Sequence, residues 1–350
     1  MQESKKLIPI FLLGYNLFAL NSLKHFAIRD YEYVTLKQLP SEISVQLSRS
    51  DHHHEGTKPY CPPSVEFDGQ AWEKIKHSHS FWRADNIEFD EKALGQKFGL
   101  LKAGGWWKPT NCNPVHNVTL VVPYRERSSQ LKKFILHMHS FLQLQMIQYK
   151  ILVIEQVDEK PFNRGKLLNV GFAESVKNSP THCYIFHDVD LLPENIKNIY
   201  GCTQTSPPYE CHCEFFQVCS FQLTNTTLVF VYTSNVYLLD YKELFGGAVA
   251  ILRDHFRAVN GFSNQFFGWG GEDDDFYRRL KDKGLGITRL SPIVSSYRML
   301  PHEKQSENVK RFDTLKQGKE RYDKDGLNSL HYTVVNHIEG ILYTLIQVKL

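Results

Sequence analysis

A chain of 350 residues is long enough for one large α/β domain with a buried core and an additional tail. Hydrophobic residues make up 42% of it and charged residues 23%, which is ordinary for a globular protein. The formal net charge of +3 is small and the basic residues are scattered, so the charge does not indicate a nucleic-acid partner.

The first 24 residues have the pattern of a short cytosolic tail followed by a signal-anchor. Lys5 and Lys6 precede an apolar run from Leu7 to Leu20. This run is shorter than the about 20 residues of a typical spanning helix, so a cleaved signal peptide and a buried helix remain alternatives. The positive flank predicts a cytosolic N-terminus, with the rest of the chain in the lumen.

Sequons and cysteines agree with a lumenal location. Asn117 and Asn225 each begin an Asn-x-Thr triplet and are predicted glycosylation sites, although such triplets also occur by chance. An odd number of cysteines leaves at least one thiol free or bonded to another chain. The seven cysteines are Cys61, Cys112, Cys183, Cys202, Cys211, Cys213 and Cys219.

Residues 25–60 are predicted to form a stem or linker. They are polar, contain a histidine triplet at 52–54 and show no apolar periodicity. The pattern of a folded domain begins at Cys61, so we expect the globular part of the chain to span residues 61–350.

Strand and helix patterns alternate over residues 118–187. Apolar strand patterns occupy 118–122, 150–155 and 183–186, and helical spacing occupies 130–143 and 163–176. The first strand is expected to stop at Pro123. This alternation predicts an α/β fold with a mostly parallel sheet covered by helices. In such sheets, ligands bind beyond the carboxyl ends of the strands.

Charged residues follow two of these predicted strands. Asp188 and Asp190 follow the strand at 183–186, and paired carboxylates suit Mg²⁺ or Mn²⁺ bridged to a phosphate. An Asp-x-Asp triplet alone is weak evidence, but this one lies between a buried strand and an apolar Leu-Leu-Pro segment. The arginines Arg125, Arg127 and Arg164 are candidates for holding a diphosphate, with ordinary surface arginines as the alternative.

The run from Phe267 to Asp275 is the most informative stretch of the chain. Its glycine-rich part surrounds Trp269, and four consecutive carboxylates follow. A mobile glycine-rich segment that carries an indole and a carboxylate is typical of a substrate lid with a general base. The alternative is the acidic first turn of a helix, which is compatible with the lid.

Six segments together form a specific pattern. They are 162–171 (Phe-Asn-Arg-Gly-Lys-Leu-Leu-Asn-Val-Gly), 186–191 (Phe-His-Asp-Val-Asp-Leu), 245–247 (Phe-Gly-Gly), 260–262 (Asn-Gly-Phe), 268–275 (Gly-Trp-Gly-Gly-Glu-Asp-Asp-Asp) and 325–330 (Asp-Gly-Leu-Asn-Ser-Leu). In this order they resemble segments of the animal β-1,4-galactosyltransferase family. The resemblance covers the chain from Cys61 nearly to its end.

The resemblance implies a GT-A fold and a single-pass type II protein of the Golgi membrane with a lumenal catalytic domain. It implies an inverting, Mn²⁺-dependent transfer of galactose or N-acetylgalactosamine from a UDP-sugar to the 4-hydroxyl of a terminal N-acetylglucosamine on glycoproteins or glycolipids. The UDP and metal half would span 61–200, and the half with the lid and the acceptor site would span 241–335.

The resemblance also assigns roles to individual residues of this sequence. Asp273 would be the catalytic base, with Glu272 beside it. The metal ligands would be Asp190, Met299 and His302, although a thioether is a soft donor and only the resemblance makes Met299 a ligand. The UDP and donor site would comprise Pro123, Arg125, Arg127, Phe162, Arg164, Asp188, Val189, Gly247 and Trp269. The acceptor site would comprise Tyr241, Gly271, Asp274, Arg311, Phe312 and Asp313. The disulfides would be Cys61–Cys112 and Cys183–Cys202.

Residues 203–240 depart from the family pattern. This segment is longer than its counterpart and lacks the lysine that would reach the donor phosphate, although the aliphatic run at 228–239 is compatible with a strand. The segment is either a lineage-specific insertion or translated sequence from an imperfect gene model. Because it lies on the donor side, a catalytically inactive UDP- or glycan-binding homologue is the alternative function.

Leu244 is the second departure. Galactose-transferring members of the family carry a tyrosine at this position, and leucine leaves room for an N-acetyl group. The residue therefore favours UDP-N-acetylgalactosamine modestly, since a pocket change of this size is worth only about 1–3 kcal/mol. A neutral packing exchange is the alternative.

Overall fold

The computed structural model describes residues 33–34, 58–61, 69–78, 89–99, 101–178, 181–202, 226–230, 245–290, 294–303 and 307–350. Several predictions lie outside these residues: the anchor at 1–24, the glycosylation site Asn225, most of the insertion at 203–240, and the site residues Tyr241 and Leu244. None of the described helices is long and apolar enough to cross a membrane.

A nine-stranded mixed sheet forms the centre of the described part. The strands in chain order are β1 (Tyr33–Val34), β2 (Asn117–Tyr124), β3 (Gln148–Gln156), β4 (Cys183–His187), β5 (Leu191–Pro193), β6 (Thr226–Phe230), β7 (Ala248–Leu252), β8 (Gly286–Leu290), β9 (Tyr297–Met299), β10 (Thr333–Glu339) and β11 (Thr344–Lys349). Their order across the sheet is β1-β8-β6-β7-β4-β2-β3-β11-β10, while β5 and β9 form a separate antiparallel pair. Most neighbours in the large sheet are parallel, which confirms the predicted fold class.

Helices cover both faces of this sheet. The described helices are α1 (Gly69–Ser78), α2 (Glu91–Phe98), α3 (Ser128–Leu144), α4 (Arg164–Asn178), α5 (Arg253–Ala258), α6 (Glu272–Asp282) and α7 (Arg311–Lys316). Alternate residues of β2 enter two separate apolar clusters. Leu120 packs in the cluster that contains Phe134 of α3, and Val121 packs in the cluster that contains Leu168 of α4. Burial on both faces explains why β2 is apolar without alternation.

The predicted end of the first strand is wrong. The strand continues through Pro123 to Tyr124, where it still pairs with β3. On its other side, the pairing with β4 ends at Val121 opposite Phe186. Pro123 therefore has only one neighbouring strand, which is a position in a sheet that a residue without an amide hydrogen can occupy.

Two strands come from segments in which the sequence predicted little structure. β1 lies within the predicted linker and pairs in parallel with Arg289 and Leu290 at one edge of the sheet. β6 lies within the atypical segment 203–240, between β7 and β8. The part of that aliphatic run that the structure describes, Leu228 to Phe230, is thus in a strand. A two-residue strand such as β1 carries no periodicity that a sequence pattern could reveal.

Both disulfides implied by the resemblance are present. Cys61 is bonded to Cys112, which joins the start of the globular part to the segment before β2. Cys183 at the start of β4 is bonded to Cys202. The other three cysteines lie outside the described residues.

Candidate active site

A cleft of about 470 Å³ opens at the carboxyl ends of β2 and β4. It is lined by all nine residues predicted for the UDP and donor site. The three predicted metal ligands, Asp190, Met299 and His302, line the same cleft, as do the predicted catalytic residues Glu272 and Asp273. The topology explains this convergence, because parallel neighbouring strands bring the segments that follow them to the same edge of the sheet.

Arg164 joins three carboxylates from different parts of the chain. It is the first residue of α4, and its Nε lies 2.6 Å from Asp188 Oδ1, just after β4. Its Nη1 lies 2.6 Å from Asp273 Oδ1 and 3.7 Å from Glu272 Oε1, both in the first turn of α6. One guanidinium therefore connects the Asp-x-Asp segment to the acidic run.

Burial changes the proton affinity of Glu272 and Asp273, the first two carboxylates of α6. Burial and, to a smaller extent, the neighbouring Asp273 raise the pKa of Glu272 to about 8, against the opposing charge of Arg164. Burial also raises the pKa of Asp273, against the opposing charge of Arg164. Glu272 Oε2 has no hydrogen-bond partner within the described residues. With a pKa of about 8, Glu272 is mostly protonated at neutral pH, whereas the charge of Arg164, 2.6 Å away, favours the carboxylate form of Asp273.

The acidic run is both a helix start and part of the cleft. α6 begins at Glu272 directly after Gly271, which has a φ of 96° that favours glycine. The four carboxylates have different surroundings. Asp275 is buried and lies 2.7 Å from Arg279 one turn later, so it belongs to the core. Of the four, only Glu272 and Asp273 line the cleft.

The second charged group of the cleft centres on Asp190. Asp190 Oδ2 lies 2.7 Å from Arg127 Nη1 and 3.0 Å from His302 Nδ1. Burial raises the pKa of Asp190, and the nearby Asp188 raises it further. The pairing of β5 with β9 places Met299 opposite Leu191, the residue after Asp190. This small antiparallel pair brings together residues that are about 110 positions apart.

Four further predicted donor-site residues line the cleft: Arg125, Phe162, Val189 and Gly247. The Arg125 guanidinium lies 5.3 Å from the centre of the Phe162 ring and donates a hydrogen bond to the Lys160 carbonyl. The Gly247 carbonyl accepts a hydrogen bond of 2.8 Å from the Asp188 amide. The Val189 side chain is buried.

Three of the five predicted acceptor residues that the structure describes, Gly271, Arg311 and Phe312, lie near Trp269 of the predicted lid. Trp269 is 56% exposed, and the Arg311 guanidinium lies 5.3 Å from its ring centre. Arg311 also lies 4.7 Å from the ring centre of Phe312, which is 67% exposed. A Cβ atom added to Gly271 would meet Phe266 and Arg311. Asp274 and Asp313 lie in the first turns of α6 and α7. None of the five described acceptor residues lines the cleft itself.

Four cleft residues were not predicted: Leu191, Gly246, Gly268 and Glu307. Leu191, Gly246 and Gly268 lie inside segments that carried the resemblance, so their motif positions were a usable signal. Glu307 follows a polar segment without any pattern, and only the bridge between Glu307 and Trp269 brings it to the cleft.

Comparison with solved structures identifies the class of protein. Two structures of Drosophila β-1,4-galactosyltransferase 7 match at 28% sequence identity, each covering 67% of this chain and 94% of the other, with TM-scores of 0.53 and 0.51. The first contains a variant of that enzyme with manganese, UDP-Gal and xylobiose, and the second contains its catalytic domain with xylobiose. The described part of this chain is accordingly a glycosyltransferase fold of the GT-A type.

Sequence comparison narrows the class to a family. A model described as the N-terminal region of glycosyl transferase group 7 matches residues 77–203, and one described as the N-terminal domain of galactosyltransferase matches residues 227–303. Rat β-1,4-galactosyltransferase 6 is 37% identical over 283 residues, which is 79% of this chain and 69% of the relative. Mouse β-1,4-galactosyltransferase 1 is 37% identical over 268 residues, which is 76% and 62%. The chain belongs to the β-1,4-galactosyltransferase family, which confirms the resemblance and makes it a hexosyltransferase by family.

Proposed function

We propose that this protein transfers galactose from UDP-galactose to the 4-hydroxyl of a terminal N-acetylglucosamine, with inversion at the anomeric carbon. One observation carries the proposal: Arg164 connects Asp188 and Asp273 in a cleft that also contains Asp190 and His302. A donor-side pair of carboxylates and an acceptor-side base are thus within reach of one bound substrate pair. The relatives and solved structures reported above are all galactosyltransferases.

The metal would be Mn²⁺, held by Asp190, Met299 and His302. The donor set fits this ion, since the Asp190 carboxylate and the His302 imidazole already meet at 3.0 Å and Met299 lines the same cleft. The Drosophila structure with manganese and UDP-Gal supports the choice of ion. When bound, the ion neutralises the charge that develops on the leaving diphosphate.

Asp273 would remove the proton from the acceptor hydroxyl. Burial raises its pKa, which makes the carboxylate a stronger base than an exposed aspartate, while the charge of Arg164 favours the ionised form. Glu272 would be the protonated neighbour that does not compete for the proton. In an inverting transfer, the acceptor oxygen attacks one face of the donor sugar and the UDP leaves from the other. One base is therefore sufficient.

The basic wall of the cleft would bind the rest of the donor. Arg125 and Arg127 would bind the diphosphate, and the Phe162 ring offers an apolar surface beside them. Arg127 is paired with Asp190, so it also lies next to the proposed metal. Asp188, which is held by Arg164, would lie near the donor ribose.

The exposed Trp269 and Phe312, together with Arg311, would form the acceptor surface. Apolar rings beside a hydrogen-bond donor suit a sugar, which has both apolar faces and hydroxyl groups. Glycines on both sides of Trp269 would allow this segment to close over the donor and exclude water. The Drosophila structures contain xylobiose, so terminal N-acetylglucosamine is a proposal for this chain.

The location that fits these properties is the Golgi lumen, with a membrane anchor near the N-terminus. The two disulfides support an oxidising compartment. The apolar run at 7–20 and the two sequons support entry into the secretory pathway. No nucleic-acid partner is proposed.

Two narrower alternatives derive from the sequence. Leu244 favours N-acetylgalactosamine as the donor sugar, but it lies outside the described residues, and the relatives reported above are all named as galactosyltransferases. The altered segment 203–240 favours an inactive homologue. Against inactivity, all the predicted metal, catalytic and UDP residues are present together in one cleft.

One assay tests these proposals. The full chain is incubated with Mn²⁺, an N-acetylglucosaminide and either UDP-galactose or UDP-N-acetylgalactosamine, and the product is analysed by mass spectrometry. We expect a galactosylated product that is lost in Asp273→Asn and kept in Asp254→Asn, an exposed carboxylate of α5 outside the cleft. Product from UDP-N-acetylgalactosamine alone would assign the other donor, and UDP binding without product would show an inactive homologue.

A further inference from the structure

Gly246 lies in the wall of the cleft, against the first turn of α6. It follows the buried Phe245 and comes two residues before β7. A Cβ atom added to Gly246 would lie 2.4 Å from Asp273 Oδ2 and 3.2 Å from Asp273 Cγ. Real Cβ atoms essentially never approach another heavy atom within 3.0 Å. The Asp273 carboxylate therefore occupies space that any larger residue at position 246 would need.

The backbone does not require glycine at position 246. The next residue, Gly247, has a φ of 93°, a left-handed conformation that favours glycine. Gly246 does not have a positive φ, so alanine can adopt its backbone conformation. The need for glycine at position 246 is consequently steric and involves a single neighbouring side chain.

Packing on either side prevents the two segments from moving apart. Phe245 and Phe276 of α6 are both fully buried, with ring centres 5.6 Å apart. The other carboxylate oxygen of Asp273 is held by Arg164 at 2.6 Å. Because packed interiors yield little to added atoms, a methyl group at position 246 would displace the carboxylate rather than the backbone.

We propose that Gly246 is a positioning residue for Asp273, because its missing side chain leaves the room in which the carboxylate faces the cleft and keeps its contact with Arg164. The effect of Gly246 on catalysis rests on the proposed function, in which Asp273 is the base. The steric relationship itself does not depend on that function. Gly246 affects the position of the base, and it is not proposed to bind the diphosphate or the metal.

Kinetics test the catalytic consequence. In the full chain, Gly246→Ala is expected to lower kcat by about 10²-fold and to leave the donor KM within about twofold of its original value. Gly69→Ala is the matched control, since a Cβ at Gly69 meets nothing within 4 Å, and it should change neither constant. An unchanged kcat in Gly246→Ala, or a raised donor KM with an unchanged kcat, would contradict the proposal.

The pH dependence distinguishes positioning from a general loss of structure. The charged groups facing Asp273 are Arg164 from α4, Asp188 after β4, and Glu272 and Asp274 in its own helix. A carboxylate turned away from Arg164 loses the positive charge that lowers its pKa, and it therefore binds a proton more readily. The acid limb of kcat against pH should therefore move to higher pH in Gly246→Ala, and an unmoved limb would count against the proposal.

A thermal double-mutant cycle tests the steric relationship without any activity. Gly246→Ala should lower Tm by a few degrees, because the carboxylate is either strained in place or separated from Arg164. Both effects require the carboxylate, so the same substitution should have no effect on Tm in an Asp273→Ala background. An equal loss in both backgrounds would overturn the inference. If the unmodified chain transfers no sugar, the proposed function fails, and this cycle still decides the role of Gly246.

Discussion

Arg164 Nη1 lies 2.6 Å from Asp273 Oδ1, although 109 positions separate the two residues in the sequence. The contact joins the beginnings of two helices, α4 and α6, across the cleft. The same guanidinium contacts Asp188 on the donor side. In the proposed reaction, the donor site and the catalytic base therefore share one cation, which links the protonation of the base to the charges around the donor.

Removing this cation should make the enzyme sensitive to acid. Arg164 lowers the pKa of Asp273, so in Arg164→Gln the carboxylate holds its proton to higher pH. We expect the acid limb of kcat to move up by about one pH unit or more. Arg164→Lys keeps the charge and should move the limb less. Rates at saturating donor between pH 5 and 8.5 measure the effect, and identical profiles for the three proteins would contradict it.

The proposed manganese site can be tested by binding alone. His302→Ala and Asp190→Asn should each weaken Mn²⁺ affinity by about tenfold or more, since each removes a donor atom. Glu307→Gln, a cleft residue outside the proposed ligand set, is the control and should bind the ion normally. Titration of free Mn²⁺ by electron paramagnetic resonance measures the affinity. Equal affinities in all four proteins would rule out this ligand set.

The stabilising effect of Glu272→Gln should increase as the pH rises. Burial raises the pKa of Glu272 to about 8, above its unfolded value, so the folded state keeps a proton that the unfolded state loses. The contribution of Glu272 to stability is present in acid and is lost as the pH rises from its unfolded pKa to about 8. The gain in Tm for Glu272→Gln over the original protein should therefore grow between about pH 5 and 8. A constant difference in Tm across this range would contradict the shift.

Neighbouring carboxylates of α6 should differ in their effect on stability. Asp275 is fully buried and lies 2.7 Å from the buried Arg279, so Asp275→Asn removes the nearer of the two carboxylates that neutralise this guanidinium, the other being Asp325 at 3.6 Å. We expect a loss of about 3–5 kcal/mol in the free energy of unfolding. Asp274→Asn, at the partly exposed preceding position, should cost far less. Urea unfolding of both variants measures the difference, and equal losses would show that burial does not separate the two positions.

Removing the Tyr200 hydroxyl should destabilise the protein more than removing the Tyr297 hydroxyl. Tyr200 lies 2.7 Å from His187 Nε2 and 3.2 Å from the Tyr297 hydroxyl, beneath the strand that leads to Asp188. Tyr200→Phe removes the central group of this buried chain and should cost about 1–3 kcal/mol of stability. Tyr297→Phe leaves the contact between Tyr200 and His187 intact and should cost less. The order of the two Tm values checks this, and the reverse order would show that Tyr200 is not the central group.

Much of the fold could be predicted because its elements are local patterns. The strands at 150–155 and 183–186 and the helices at 130–143 and 163–176 all occur, within a few residues of the predicted bounds. Burial on both faces makes these strands continuously apolar, and such runs are visible without a structure. The end of β2 was wrong because the tolerance for Pro123 depends on which neighbours still pair with it.

The sequence predicted which residues belong to the site, but it did not predict how they are arranged. Motif positions and the rule that ligands bind at the ends of parallel strands were enough to place Asp188 and Arg127 in one cleft. The resemblance contributed Met299, which spacing alone would have assigned to the core. No sequence pattern predicted that β5 pairs with β9, or that β1 joins the edge of the sheet.

By itself, the sequence determined the fold class, the family and nearly all the residues of the cleft, because apolar periodicity and motif order are properties of short segments. Only the tertiary structure decided how those residues act on one another. It separated Asp273, held by Arg164, from Asp275, buried with Arg279, although both are carboxylates in the same turn. It also placed Gly246 against the base. Such contacts join residues far apart in the chain, and their distances depend on how whole helices pack against the sheet.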